Sequence, residues 1–156
     1  MMEDTFLGVP GTRSTLLRIV QEVRVVIACS IGMRHIRPAH DLDLLVHPAD
    51  WQQLLDMNLG QLVRGGDNPW YEIGDNIDAF VAGWPAGQFT YEQTWREAEL
   101  VRLDGPEYVP VWTLAQTYAW KQAAGRVKDR RDIALIDAYA RDGFNEVVSA
   151  FFNADE

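Results

Sequence analysis

The sequence predicts an α/β (α+β) fold, a short mixed β-sheet flanked by helices, and three observations predict it. Residues 14–23 carry apolar side chains at helical spacing and lead straight into the apolar run Val25-Val26-Ile27-Ala28. Two pairs of strand-like segments flank turn signals at Gly74-Asp75-Asn76 and at Asp104-Gly105-Pro106. Helical periodicity then returns from Thr113 to the end of the chain. Alternation of the two periods along one chain is the pattern of helices layered on a sheet. At 156 residues the length suits one domain, 1–156, and such a chain buries about 68 to 70% of its unfolded surface.

The elements follow in order. Ser14 is placed to cap a first helix, and 25–28 then reads as a buried strand. Leu42 to Val46 form a second strand, after which Pro48 opens a helix through Trp51, Leu54 and Leu55 toward Leu59. Gly65-Gly66-Asp67-Asn68-Pro69 is a loop. Residues 70–73 and 77–81 make a strand pair around Gly74-Asp75-Asn76, and residues 99–103 and 108–111 extend the sheet. Thr113 caps the helix that carries Lys121. Ile133, Leu135, Ile136, Ala138 and Tyr139 lie largely on one side of a last long helix, and the acidic end 153–156 frays.

Chemistry concentrates at Asp41-Leu42-Asp43, just after Arg37-Pro38-Ala39-His40. On a strand, residues two apart share a face, so both carboxylates project together, about 7 Å apart along the chain, while Leu42 and Leu44 pack into the other face. Paired carboxylates suit Mg²⁺ or Mn²⁺, hard cations that complete their shells with water and substrate phosphates. Asp78, in Asn76-Ile77-Asp78-Ala79-Phe80-Val81, is a third acid that a neighbouring strand brings beside the pair; the alternative is an acid at a turn or strand edge. Three carboxylates around two metals would stabilise attacking and leaving oxygens, the third also taking the proton of an incoming hydroxyl.

These residues resemble a known family. Residues 25–32, then Arg37, then Asp41-Leu42-Asp43-Leu44 are similar to the first motif of the nucleotidyltransferase (DNA polymerase β-like) superfamily: strand, Gly-Gly or Gly-Ser, short helix, Arg, then Asp-x-Asp on the next strand. A second block, Val109-Pro110-Val111-Trp112-Thr113-Leu114 with Lys121, Gly125-Arg126, Lys128-Asp129 and Asp132-Ile133, resembles the C-terminal helices of minimal members related to abortive-infection type IV toxins. The resemblance implies a nucleotidyltransferase-like fold in which Asp41, Asp43 and Asp78 are catalytic and hold the metal. Ser30, Arg37 and Lys121 would bind the nucleotide: Ser30 at the β or γ phosphate, Lys121 offsetting charge there, Arg37 bracing the loop or reaching a phosphate. Cys29-Ser30 stands where the family has its glycine pair, which places a side chain beside the phosphates or toward the core. The implied reaction moves a nucleoside monophosphate from an NTP to a hydroxyl on an RNA end, a protein or a small molecule.

Composition narrows partners. A net charge of −9 lacks the basic footprint of a long-duplex DNA binder. Locally, Lys121, Arg126, Lys128, Arg130 and Arg131 crowd together. If one helix continues, Lys121, Gly125, Lys128 and Asp132 share a face and two lysines meet a triphosphate or an RNA end. If Gly125 breaks it, Asp129 caps a new helix beginning at Arg130 and the charges are solvated. No run reaches the ~18 apolar residues of a membrane span, and Glu3 and Asp4 argue against a signal peptide, which points to a cytoplasmic protein. Cys29 is the lone cysteine and reads as a small buried hydrophobe. Most tryptophans read as core, with Trp84, between Gly83 and Gly87, the best exposed stacking candidate. Alternation turns His40 away from the acids, and no catalytic role falls to a histidine. A rival expectation, from a different class, is a catalytically degenerate nucleotidyltransferase-fold interaction module with a protein partner, as in a toxin-antitoxin or defence pair.

Overall fold

The computed structural model describes residues 4–64 and 68–153, with side chains placed through 142. It is mixed α/β, with five helices and a seven-stranded mixed sheet. A small antiparallel hairpin of β1 (Thr5–Phe6) and β2 (Val9–Pro10) precedes α1 (Arg13–Val20). Then come β3 (Val25–Ala28), a 3₁₀ turn (Cys29–Met33) and β4 (Leu42–Val46). A 3₁₀ turn (Pro48–Asp50) leads into α2 (Trp51–Asp56), followed by β5 (Gln61–Val63), β6 (Trp70–Ile73) and β7 (Ile77–Phe80). The chain ends with α3 (Tyr91–Thr94), β8 (Glu99–Asp104), β9 (Glu107–Val111), α4 (Leu114–Ala124) and α5 (Val127–Asn153).

The sheet order is β5-β6-β7-β4-β3-β9-β8. The two central strands are the most apolar: Val26, Ile27, Leu42, Leu44 and Val46 are fully buried, as expected of strands covered on both faces. β4 is antiparallel to β3 and parallel to β7, so the chain must leave the sheet through α2 before β7 can align with β4. The expected strand pairs 70–73 with 77–81 and 99–103 with 108–111 both form, the first ending at Phe80. β5, the β1–β2 hairpin and the one-turn α3 were not expected; they are too short to show a period, although the Thr90–Gln93 capping box marks the start of α3.

Three expectations change. Ser14 does not cap α1, which begins at Arg13. The β1–β2 hairpin folds back and supplies Asp4, whose carboxylate accepts from the Ser14 amide at 2.7 Å and its hydroxyl at 2.9 Å. Gly125 does end α4, in the left-handed conformation (φ 64°). The next helix starts at Val127 rather than Arg130, with Asp129 inside its first turn accepting from the Arg126 amide at 3.1 Å. On α5 Ile136 is buried, but Leu135 and Tyr139 are 46% and 47% exposed, so the apolar residues do not share one covered face. Residues 65–67 of the expected loop and 154–156 of the acidic end lie outside the described residues. Among the described residues no helix is long and apolar enough to cross a membrane.

Candidate metal and nucleotide site

The parallel pairing of β4 and β7 sets Asp43 directly opposite Asp78. Asp41 precedes β4 and projects to the same side as Asp43, being two residues away. One carboxylate oxygen from each of Asp41, Asp43 and Asp78 lies within 4.8 Å of the others. Leu42 and Leu44, between and beyond them, point into the core. Alternation on one strand thus pairs Asp41 with Asp43, and register between two strands adds Asp78 from far along the chain.

Such a cluster repels itself. Burial, then the charges of Asp41 and Asp78, push the Asp43 pKa up to about 7, with a hydrogen bond from the Cys29 thiol pulling the other way. Asp78 is raised by burial, by Asp41 and by Glu72, its register partner on β6. A cation between the acids relieves both effects.

The 3₁₀ turn at Cys29–Met33 forms the opposite wall. Cys29 has φ of 67°, a left-handed conformation that favours glycine and costs an L-residue with a side chain about 1–2 kcal/mol. Its side chain is buried, and desolvation, followed by the Asp43 charge, raises the thiol pKa well above its ordinary range. The turn is clamped to α4: the Thr117 hydroxyl donates to the Cys29 carbonyl at 2.6 Å. Gly32 makes this approach possible, since a Cβ there would meet Thr117 Oγ1 at 2.1 Å and the Thr113 carbonyl oxygen at 2.3 Å. Thr113 caps α4 as expected, in a capping box with Gln116.

Lys121 is 2% exposed and lies within this wall. Its ammonium donates to Ser30 Oγ at 3.1 Å and sits 2.7 Å from Asp132 Oδ2 and 3.6 Å from Asp129 Oδ1. Arg37 holds Asp132 through two bonds, of 3.0 and 2.8 Å, and Arg126 holds Asp129 through two more, of 2.6 and 3.1 Å. Burial acts to raise both aspartates, but the Arg126 bonds at Asp129 and the Arg37 and Lys121 bonds at Asp132 outweigh it and keep them ionised. Three cations and two anions are therefore interlocked, and Arg37 braces the loop before β4 against α5.

Between the acids and this network lies a cleft of about 590 Å³, lined by Cys29, Ser30, Arg37, Asp41, Asp43, Phe80, Trp120, Lys121, Arg126, Lys128, Arg131 and Asp132. Five of the six expected site residues line it, and Asp78 joins Asp43 in an adjoining cleft of about 300 Å³. Lys128 and Arg131 are exposed and, among the described residues, have no ion pair, so they are the cations most open to an anion. Lys128 faces the cleft although the single continuous helix expected to present it with Lys121 is broken at Gly125, and Arg131, three residues on, lies on the same face of α5. Arg130 does not line the cleft. His40 is exposed and likewise absent from the lining. Trp112 and Trp120 are core, as expected, but Trp95 and Trp84 are 40% and 38% exposed, and the Arg126 guanidinium lies 4.8 Å above the Trp84 ring. Compared with models of protein families, with curated proteins and with solved structures, the chain matches none.

Proposed function

We propose that this chain is a metal-dependent nucleotidyltransferase, moving a nucleoside monophosphate from an NTP to a hydroxyl acceptor with release of pyrophosphate. The observation that carries it is the sharing of Asp43 between the acid triad and a cleft with cationic walls. Anionic phosphates and divalent cations then meet along one edge. The donor set fits Mg²⁺ or Mn²⁺: three hard carboxylate oxygens, with the neighbouring Cys29 sulfur kept protonated by burial. Asp41, Asp43 and Asp78 would hold such ions, whose positive charge stabilises the phosphates during transfer.

The residues divide the remaining work. Lys128 and Arg131 neutralise the triphosphate from the open side, and Ser30 offers its hydroxyl to a phosphate oxygen. Lys121 and Arg37 are positioning residues: Lys121 orients Ser30, and Arg37 fixes the segment leading into Asp41. In the reaction the acceptor oxygen bonds to the α-phosphorus while the bond from that phosphorus to the bridging oxygen breaks. Pyrophosphate leaves with that electron pair, and the hydroxyl proton passes to the Asp78 carboxylate.

Calorimetric titration of ATP, GTP, CTP and UTP with and without Mg²⁺ tests this. Binding of at least one nucleotide that requires Mg²⁺ and disappears in Asp41→Ala is expected. Metal-independent binding, or none, would sink the proposal. One observation favours the rival interaction module: Arg37, Lys121 and Arg126 already spend their charge on Asp129 and Asp132. Absence of nucleotide binding in the same titration is the result that module predicts.

A further inference from the structure

Two clefts meet at the acids, and their walls differ in kind. The larger carries Arg37, Lys121, Arg126, Lys128 and Arg131. The smaller, about 300 Å³, is lined by Asn68, Trp70, Phe80, Ala82 and Trp84 with Asp43 and Asp78, and among the described residues no lysine or arginine lines it. Asp43 and Phe80 belong to both and form the partition. Resting on the nucleotidyltransferase reading, we infer that the smaller cleft receives the acceptor, and that the acceptor is a small ring-bearing alcohol, uncharged or carrying amines, rather than a polynucleotide or a protein.

Size, charge and surface each support this. About 300 Å³ is at the low end of small-molecule sites and encloses one ring with its substituents. An RNA end would bring phosphates past Asp43 and Asp78, where the nearby guanidinium over Trp84, that of Arg126, is already paired with Asp129, and Glu72 stands beside Asp78. An amine gains from the same acids and from the tryptophan faces that Arg126 does not cover. The aromatic walls are held in place before any ligand arrives. Trp70 donates its indole N–H to Glu72 at 3.2 Å, the Trp84 carbonyl accepts from the Trp120 indole at 3.0 Å, and the Trp84 and Trp120 rings meet edge to face at 6.2 Å. A ring stacked there brings a hydroxyl toward Asp78, which takes its proton as the oxygen bonds to the α-phosphorus and pyrophosphate departs.

The test uses NTPs labelled at the α-phosphate, Mg²⁺ and four acceptors: methyl glucoside, a multiply aminated aminocyclitol glycoside, a 12-nucleotide RNA with a free 3′-hydroxyl, and a peptide bearing Ser, Thr and Tyr. Label is expected on one of the first two. Trp84→Phe, which keeps a ring, should change the acceptor KM little. Trp84→Ala and Trp70→Ala should raise it tenfold or more, while the Mg²⁺-dependent Kd for the nucleotide stays unchanged in Trp70→Ala, since Trp70 does not line the larger cleft. Label on the RNA or the peptide, no label on any acceptor despite Mg²⁺-dependent nucleotide binding, or a KM indifferent to both alanine variants overturns the inference and leaves the nucleotidyltransferase reading standing. Absence of Mg²⁺-dependent nucleotide binding removes that reading first, and the acceptor assignment with it.

Discussion

Asp43→Asn should stabilise the metal-free protein, and increasingly so as the pH rises. Asp43 holds its proton up to about 7 in the fold, against 3.8 for an ordinary aspartate. Each tenfold difference in proton affinity is about 1.4 kcal/mol, so ionising Asp43 in the fold costs at most about 4 kcal/mol. The sign follows from linkage: a raised folded pKa gives stability that is complete below pH 3.8 and is lost as the pH rises through about 7. Asparagine keeps the shape and carries no charge. The stability gap between variant and parent should therefore be about 1 kcal/mol at pH 4.5 and grow to about 2 to 4 kcal/mol at pH 8.5, the lower figure allowing for water at the cleft mouth. Asp129 and Asp132 have lowered pKa values and titrate below this window, so they do not contribute to the change. Urea denaturation in EDTA at the two pH values measures the gap. Repeating it with Mg²⁺ should stabilise the parent alone and close the gap at pH 8.5. A gap that does not widen with pH, or a variant less stable than the parent at pH 8.5, would refute the account and make the Asp43 carboxylate a structural partner of the Cys29 thiol.

Lys121→Ala should lower stability by about 3 kcal/mol, because it leaves two buried aspartates short of a partner, and denaturation in low and high salt should show little screening of that loss. Lys128→Ala and Arg131→Ala should leave the denaturation midpoint unchanged but weaken Mg²⁺-dependent nucleotide binding several-fold, more in low salt than in high, as read by calorimetry. Gly32→Ala should cost about 1–3 kcal/mol, since the Thr113 backbone oxygen cannot easily yield to the new methyl; the check is the urea midpoint. At Cys29, Gly relieves the left-handed strain while Ala retains it and loses the sulfur, so thermal unfolding should rank Cys29→Gly above Cys29→Ala. The buried thiol should also react slowly with alkylating reagents at pH 8 in the folded protein and quickly in urea.

The sequence alone determined the elements whose signal is local. Apolar runs marked β3 and β4, turn residues marked the two hairpins, and Thr113 marked the start of α4, because period and capping are written over a few consecutive residues. Alternation at Asp41-Leu42-Asp43 likewise placed two carboxylates on one face without any knowledge of the sheet. What only the tertiary structure decided depends on register and on partners distant in the chain. Asp78 became the third acid because β7 lies parallel to β4 with residue 78 opposite residue 43, a pairing that no local pattern encodes. Lys121 shared a pattern with Lys128, yet one is interlocked with Asp129 and Asp132 and the other faces the cleft. Gly125 ends α4 and turns the chain, so α5 packs back against α4, which holds the Cys29–Met33 turn, and meets the Arg37 loop. Charge type is a property of one residue, whereas its availability depends on which other residues the fold brings within bonding distance.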